Sequence, residues 1–196
     1  MERSTSKRAL GLRQMVVVGM LSGISIFMGL TGLGFIPLPF MKATIMHIPV
    51  IIGAIVEGPI VGALVGGVFG LFSMYQAFTA PTPLSFIFYN PIIAIVPRVL
   101  IGIIAYYIYT LLKNKFKKES IPIGIAAVLG TITNTVGVLG LTYVFYLDQY
   151  AKALGISSAA AGTAIATVAA TNGIPEALLS ALITIPVVLT IKKIKK

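Results

Sequence analysis

Arg98 is the residue whose position most strongly suggests chemistry, because it lies within a long apolar run. The run begins near Phe86, so Arg98 lies about twelve residues into it, roughly 18 Å along a helix axis. A charge at such depth in a membrane is costly and is usually functional or paired within the protein. The guanidinium fork suits a carboxylate, whereas the structural alternative is a bond to backbone carbonyls that Pro97 leaves free. We favour a role in binding an anionic solute.

Amide and aromatic side chains at similar depth could bind the neutral polar part of such a solute, since an amide both donates and accepts hydrogen bonds. The residues predicted to converge with Arg98 on the outer half of the membrane are Asn90, Asn134, Asn172 and Tyr89. Lys42 and His47 flank the start of the second apolar segment and are further candidates. Each asparagine taken alone could equally bond one helix to another. A single histidine cannot build a metal site, so neither a metal nor a cofactor is expected.

Groups for catalysis are too few to indicate an enzyme. The sequence has one histidine and no cysteine, so neither a Ser-His-Asp nor a Cys-His catalytic set is available. Glu57 is predicted to lie at a turn on the inner side, away from the other candidates. The sequence contains no G-x-x-x-x-G-K-[ST] loop for nucleotide phosphates, so partner proteins would have to supply energy from ATP.

The composition indicates a protein embedded in a membrane. The sequence is 57% hydrophobic and only 10% charged, with a mean hydropathy of +1.00, whereas a soluble domain carries about 25% charged residues. A spanning helix uses about 20 apolar residues, so the 196 residues are interpreted as one membrane domain, 1–196, an all-α bundle of six transmembrane helices. The predicted helices are 14–36, 43–56, 60–75, 86–112, 121–146 and 173–191. The second is the least certain because fourteen residues rise only about 21 Å, and 147–172 is predicted to be the longest loop.

The positive charges are concentrated at the ends of these segments. Most of the 15 Lys and Arg fall in three clusters: Arg3, Lys7, Arg8 and Arg13; Lys113, Lys115, Lys117 and Lys118; Lys192, Lys193, Lys195 and Lys196. Positive residues favour the cytoplasmic side, and six spans place all three clusters and both termini there. The net charge of +10 is therefore attributed to the surface of a cell membrane and not to nucleic acid.

Small residues mark two helix faces suited to close packing. Glycines recur at every fourth position of helix 3, and Ala63 and Gly67 widen the stripe of Gly58, Gly62, Gly66 and Gly70. Packing inside the bundle is favoured for this stripe. Gly19 and Gly23 form a smaller face on helix 1, which could serve either internal packing or a partner helix.

Several of these segments resemble the substrate-binding S components of energy-coupling factor (ECF) vitamin transporters. The resemblance covers about residues 10–190 and is carried by 42–59 with Gly62-Ala63-x-x-Gly66, by Ser85-Phe-x-Phe-x-Asn-Pro91, by Pro97-Arg98-x-x-x-Gly102 and by Gly130-x-x-x-Asn134-Thr135. It is strongest with the pantothenate-specific type. The resemblance implies a protein that binds a vitamin from outside with high affinity, and a pocket between outer loop 1 and helices 4 to 6. It also implies a transmembrane T component and two ABC ATPases as partners, with Gly19 and Gly23 replacing the alanines of the family's contact motif in helix 1.

Pantothenate would match the polar residues found above. Arg98, helped by Lys42, would bind its carboxylate, and Asn90, Asn134 and Asn172 would bind its hydroxyls and amide. Riboflavin or another B vitamin is the alternative within the family; the absence of tryptophan disfavours riboflavin, while the aromatic residues 86–89 keep it open. An alternative of another class is a membrane assembly protein whose glycine faces serve only oligomerisation.

Overall fold

Six α-helices and one short β-hairpin make up the part of the chain that the computed structural model describes, residues 10–37 and 42–195. For residues 36, 37, 42 and 43 only the backbone is described. The elements are α1 (Leu12–Thr31), β1 (Phe35–Pro37), β2 (Lys42–Thr44), α2 (Ile48–Glu57), α3 (Pro59–Thr79), α4 (Pro91–Leu112), α5 (Ser120–Leu154) and α6 (Ser158–Ile194), with a 3₁₀ helix at Ser85–Tyr89. Within these residues, five helices, α1 and α3 to α6, are long and apolar enough to cross a membrane.

α2 is the shortest α-helix and lies at the centre of the bundle. Its 10 residues rise only about 15 Å, half of the hydrocarbon thickness of about 30 Å. All residues from Ile48 to Ile55 are buried, and α2 packs against the other five α-helices. The predicted start at residue 43 was wrong because residues 42–44 form a strand, and Pro49 fits the first turn of a helix.

The antiparallel hairpin β1–β2 connects α1 and α2 along the chain, and β2 contacts α6. Phe35 is paired with Thr44 across it. The prediction of an α-helix as far as residue 36 was wrong, because α1 ends at Thr31 and Gly32 takes a left-handed φ of 75°, the conformation that commonly ends a helix. Residues 38–41 of the predicted outer loop lie outside the described residues.

The connection between α5 and α6 is short, so the predicted long loop at 147–172 was wrong. α5 continues to Leu154 and α6 begins at Ser158. Gly155 adopts a left-handed φ of 66°, and the Ser157 hydroxyl accepts a hydrogen bond from the Ala160 N–H at 3.3 Å. Alanine is the best helix former, so this weakly apolar segment continues the helices. The backbone of α5 is non-helical at Tyr146 (φ −135°, ψ 19°), so a kink stands where the predicted helix ended. The 37 residues of α6 correspond to a rise of about 56 Å, which exceeds the hydrocarbon thickness of about 30 Å.

Gly62, Gly66 and Gly70 of the predicted stripe pack inside the bundle, as predicted, whereas a Cβ at Gly58 would meet nothing within 4 Å. A Cβ added at Gly66 would lie 2.2 Å from the carbonyl oxygen of Arg98, and one at Gly70 would lie 2.6 Å from that of Ala94. At Gly62 it would lie 3.0 Å from the Cα of Gly102. Any side chain larger than hydrogen would therefore separate the two backbones.

Ion pairs join charged residues from several helices at one end of the bundle. Glu57, at the end of α2, accepts from Arg13 at 3.3 Å and from Lys195 at 2.7 Å. Lys192 contacts both Glu119 and the Tyr109 hydroxyl. The start of α1, the α4–α5 connection and the end of α6 therefore share this end, which we call the basic end. Its assignment to the cytoplasm stays a prediction.

Candidate solute-binding site

A cavity of about 400 Å³ opens at the opposite end of the bundle, which we call the hairpin end. Its walls come from the hairpin and the residues after it, from the far half of α3, from residues 80–88, and from α4 and α5. Phe35, Met46, Phe69 and Phe88 form much of its apolar lining. Ligand cavities in proteins measure about 300–1,000 Å³, so this one suits a small solute.

Arg98 reaches this cavity from α4 and is only 5% exposed. Its Nη1 donates to the carbonyl oxygen of Ile93 at 2.7 Å. That carbonyl lies four residues before Pro97, which has no N–H to give it, so the structural role considered for Arg98 is present. The Nε atom, however, is buried without a hydrogen-bond partner among the described residues.

The guanidinium is held between two aromatic rings. Its carbon lies 5.5 Å from the centroid of Phe69 and 5.0 Å from that of Phe88, within the range of cation–π attraction. Arg98 forms no salt bridge with any residue in the described part of the chain. Arg98 is therefore a buried cation with two aromatic rings beside it and no carboxylate partner among the described residues.

Asn134 lines the same cavity from α5 and is 6% exposed. Its Oδ1 is also buried without a hydrogen-bond partner among the described residues. A buried polar atom left unpaired costs about 1–3 kcal/mol. A donor on α4 and an acceptor on α5 are thus both unsatisfied at one cavity, which is the arrangement expected where a polar ligand binds.

Asn90 and Tyr89 lie apart from these two residues. Asn90 caps the N-terminus of α4, since its Oδ1 accepts from the Ile92 N–H at 2.9 Å, and its Nδ2 reaches the Tyr146 hydroxyl at 3.4 Å. Tyr89 is 40% exposed and stacks on Phe78 with the ring centroids 4.5 Å apart. Neither side chain lines the cavity. Asparagine is among the preferred residues at the N-cap, which accounts for Asn90 without a ligand.

His47 and Asn172 are likewise not brought to the cavity lining. His47 is fully buried, and its Nε2 lies 2.9 Å from the Thr131 hydroxyl. That hydroxyl donates its hydrogen to the Ala127 carbonyl, so Nε2 is the donor to it, and the buried Nδ1 atom has no described partner. Asn172 is half-buried on α6. The side chain of Lys42 lies outside the described part.

The cavity also contains polar residues that the sequence interpretation missed. Ser73 and Gln76 line it from α3, and Thr82 and Ser85 line it beyond the end of that helix. Polar residues three apart in an apolar helix share one face, and this spacing was the available signal.

Glu176, 5% exposed on α6, accepts from the backbone N–H of Thr44 at 2.7 Å. Like Arg98, Glu176 is a charged residue in an apolar helix, and its rarity there was the available signal in the sequence.

These features describe a membrane-protein fold with five helices long enough to span a membrane and, at one end, a cavity lined by two residues with buried, unpaired polar atoms. The chain belongs to the family described as ECF transporter, substrate-specific component, whose family model matches residues 13–188. The members of this family are substrate-specific components of transporters and not enzymes. The helices and the family together identify a multi-pass protein of the cell membrane.

Two curated relatives of this chain are both named as transporters of pantothenate. The chain is 33% identical over 171 residues to the pantothenic acid transporter PanT of Lactococcus lactis subsp. cremoris, covering 80% of this chain and 81% of that protein. It is 35% identical over 131 residues to the pantothenate transporter PanT of Leuconostoc mesenteroides subsp. mesenteroides, covering 63% of this chain and 64% of that protein.

Proposed function

We propose that this protein is the vitamin-binding S component of an ECF-type ABC importer and that it binds pantothenate with high affinity in the cavity at the hairpin end. The observation that carries the proposal is the pair of unsatisfied buried atoms, Arg98 Nε and Asn134 Oδ1, at one cavity. Both relatives are named for pantothenate, which supports the choice of vitamin.

The chemistry of pantothenate fits the distribution of polar and apolar groups. Its carboxylate would bind the Arg98 guanidinium, because a cation–anion hydrogen bond is roughly twice as strong as a neutral one. Asn134 would accept a hydrogen bond from the amide or a hydroxyl, and Ser73 and Gln76 offer further polar contacts to the hydroxyls. The two methyl groups of pantothenate would pack on the apolar wall that includes Phe35 and Met46.

Replacement of Arg98 tests this assignment. Arg98→Gln removes the charge, and hydrogen bonds to charged groups contribute about 1.5–3 kcal/mol, so the affinity for pantothenate is expected to fall about 10- to 100-fold. Titration calorimetry on purified protein measures the loss, and circular dichroism checks that the helices persist. Asn134→Leu is expected to act in the same direction.

Asn172→Ala is the matched control, because this amide is on a neighbouring helix and does not line the cavity. It is expected to bind as the wild type does. A folded Arg98→Gln protein with unchanged affinity would remove Arg98 from the site. Wild-type protein that binds riboflavin and not pantothenate would refute the choice of vitamin.

The exposed face of α1 is proposed to contact the T component of the importer, with partner ATPases supplying energy. A Cβ at Gly19 or Gly23 would meet nothing within 4 Å, so these glycines serve no packing inside the described protein. Large apolar side chains surround them on the exposed face, among them Met20 at 63% and Phe27 at 59% exposure. A smooth apolar groove of this kind admits a partner helix closely.

A double variant, Gly19→Leu with Gly23→Leu, separates this contact from solute binding. It is expected to bind pantothenate normally but to lose copurification with the T component. Gly140→Leu is the control, since Gly140 is also exposed in a spanning helix and a Cβ there meets nothing within 4 Å. Retained copurification in the double variant, or equal loss in the control, would contradict the proposed interface.

A further inference from the structure

Glu176 ties the hairpin to α6 from a buried position outside the cavity lining. The side chain is on a spanning helix and is 5% exposed. Its Oε1 accepts from the Thr44 N–H at 2.7 Å, and it forms no salt bridge with a residue in the ranges described. An acidic residue at membrane depth is costly to keep, so a bond made to the hairpin backbone calls for a function.

Thr44 is the point at which this bond acts on the cavity. It is the last residue of β2, and both it and Met46, two residues further on, line the cavity. The Met46 carbonyl accepts from the Ser25 hydroxyl of α1 at 3.3 Å. The segment leaving the hairpin is thus held from α6 by a hydrogen bond of 2.7 Å and from α1 by a longer one of 3.3 Å.

The hairpin is short, and its described end packs against the hydrophobic core. Each of its strands has three residues, and an isolated two-stranded hairpin is marginally stable at best. Phe35 and Ile45 pack against the core cluster that contains Met46, and the Ile45 N–H continues the pairing by donating to the Gly34 carbonyl at 2.9 Å. The bond from Glu176 adds a directional contact with α6 to this packing.

We propose that Glu176 is a positioning residue for solute binding, which sets the cavity wall by accepting the Thr44 N–H without touching the solute. Only the acceptor oxygen is required for this role. Glu176→Gln should therefore preserve the wall, whereas Glu176→Leu fills similar space without an acceptor and should release it. A released wall loosens its contacts with a bound solute, so dissociation becomes faster while the encounter rate changes little.

The first experiment needs no ligand. Hydrogen exchange followed by mass spectrometry is measured on peptides covering residues 34–46 in the full-length protein. Glu176→Leu is expected to raise exchange in these peptides up to about tenfold, the upper end of what losing one buried hydrogen bond produces, and Glu176→Gln is expected to stay near the wild type because it keeps an acceptor oxygen. Ser180→Ala is the control, since Ser180 is buried one turn further along α6 and its hydroxyl has no described partner. Unchanged exchange in Glu176→Leu, or equal exchange in the leucine and glutamine variants, overturns the proposal.

The second experiment rests on the proposed function and measures pantothenate association and dissociation rates. Glu176→Leu is expected to raise the dissociation rate about tenfold with an association rate within about twofold, since most affinity differences between related complexes lie in dissociation. Recovery of slow dissociation in Glu176→Gln supports the role of the acceptor. If wild-type protein binds no pantothenate, the proposed function fails, and the exchange experiment still decides the role of Glu176.

Thr44→Pro tests the same bond from its other side, because proline lacks the N–H and is tolerated on an edge strand. It is expected to raise hairpin exchange as Glu176→Leu does, which keeps the test valid if the leucine variant fails to fold. The double variant should be no worse than either single one, since both remove one bond. Additive effects would show that Glu176 acts elsewhere and would overturn the proposal.

Discussion

Gly66→Ala tests whether the contact between α3 and α4 holds Arg98 in position. The new Cβ would lie 2.2 Å from the Arg98 carbonyl oxygen, 2.7 Å from its carbonyl carbon and 3.2 Å from the Cα of Val99. Ordinary contact begins at 3.4 Å, so the oxygen must move by about 1.2 Å. All three neighbours are backbone atoms. No side-chain rotation can relieve the clash, and the helices must separate.

The expected cost follows from the displacement. Added methyl groups in a packed interior typically destabilise a protein by about 1–3 kcal/mol. Because the displaced backbone belongs to Arg98, the guanidinium moves with it, and a misplacement of about 1 Å can cost up to about 100-fold in a positioned site. We expect a lower unfolding temperature together with a pantothenate affinity reduced about 10- to 100-fold.

Circular dichroism during heating measures the first effect and titration calorimetry the second. Gly67→Ala is the matched control, because it adds the same methyl group at the next residue, where the nearest atom is the Val99 Cγ2 at 3.9 Å. It should change neither quantity. If Gly66→Ala behaves as Gly67→Ala does, the backbone contact does not position Arg98 and the reasoning fails.

Three further substitutions separate structural residues from the binding site. Asn90→Ala removes the cap of α4 and should cost about 0.5–2 kcal/mol of stability while leaving pantothenate affinity within about twofold; a loss as large as that of Arg98→Gln would place Asn90 in the site. Gly32→Ala forces a side chain into a φ of 75° and should destabilise the protein by about 1–2 kcal/mol, with faster hydrogen exchange at the end of α1; unchanged exchange would contradict this. Lys192→Met removes a partly exposed contact with Glu119 and Tyr109 and should cost no more than about 1 kcal/mol, a loss that shrinks in high salt when unfolding is followed at two ionic strengths.

Arg98 and Asn134 could be identified from the sequence because polar groups are rare in apolar helices and are expensive there. Glu176 satisfied the same criterion. It was missed because the weakly apolar residues before it were interpreted as a loop, which placed it near the outer start of a helix. Hydropathy reports contact with lipid, whereas the alanine-rich stretch of α6 forms a helix through its propensity.

Asn90 carries a local signal that the sequence interpretation did not use. An asparagine directly before a proline fits an N-cap followed by the first helical position, and the structure has Asn90 capping a helix that begins at Pro91. The predicted helix ran through both residues, so the amide was interpreted as a ligand group. Ser73 and Gln76 line the cavity because α3 packs beside it. The sequence does not show which helices pack around one cavity, so these two residues were not predicted as site residues.

Because α2 is too short to span the membrane, the volume that further helical turns would occupy can be compared with the volume of the cavity. A helix crossing about 30 Å would need about ten more residues, a cylinder about 15 Å long and 10 Å wide that occupies roughly 1,200 Å³. The cavity of about 400 Å³, lined by Met46 two residues before α2, is about a third of that volume. One helical turn, about 5.4 Å long, corresponds to roughly 420 Å³. Starting α2 one turn earlier would therefore need a volume similar to that of the whole cavity, so we expect the position where this helix begins to set how large the cavity can be.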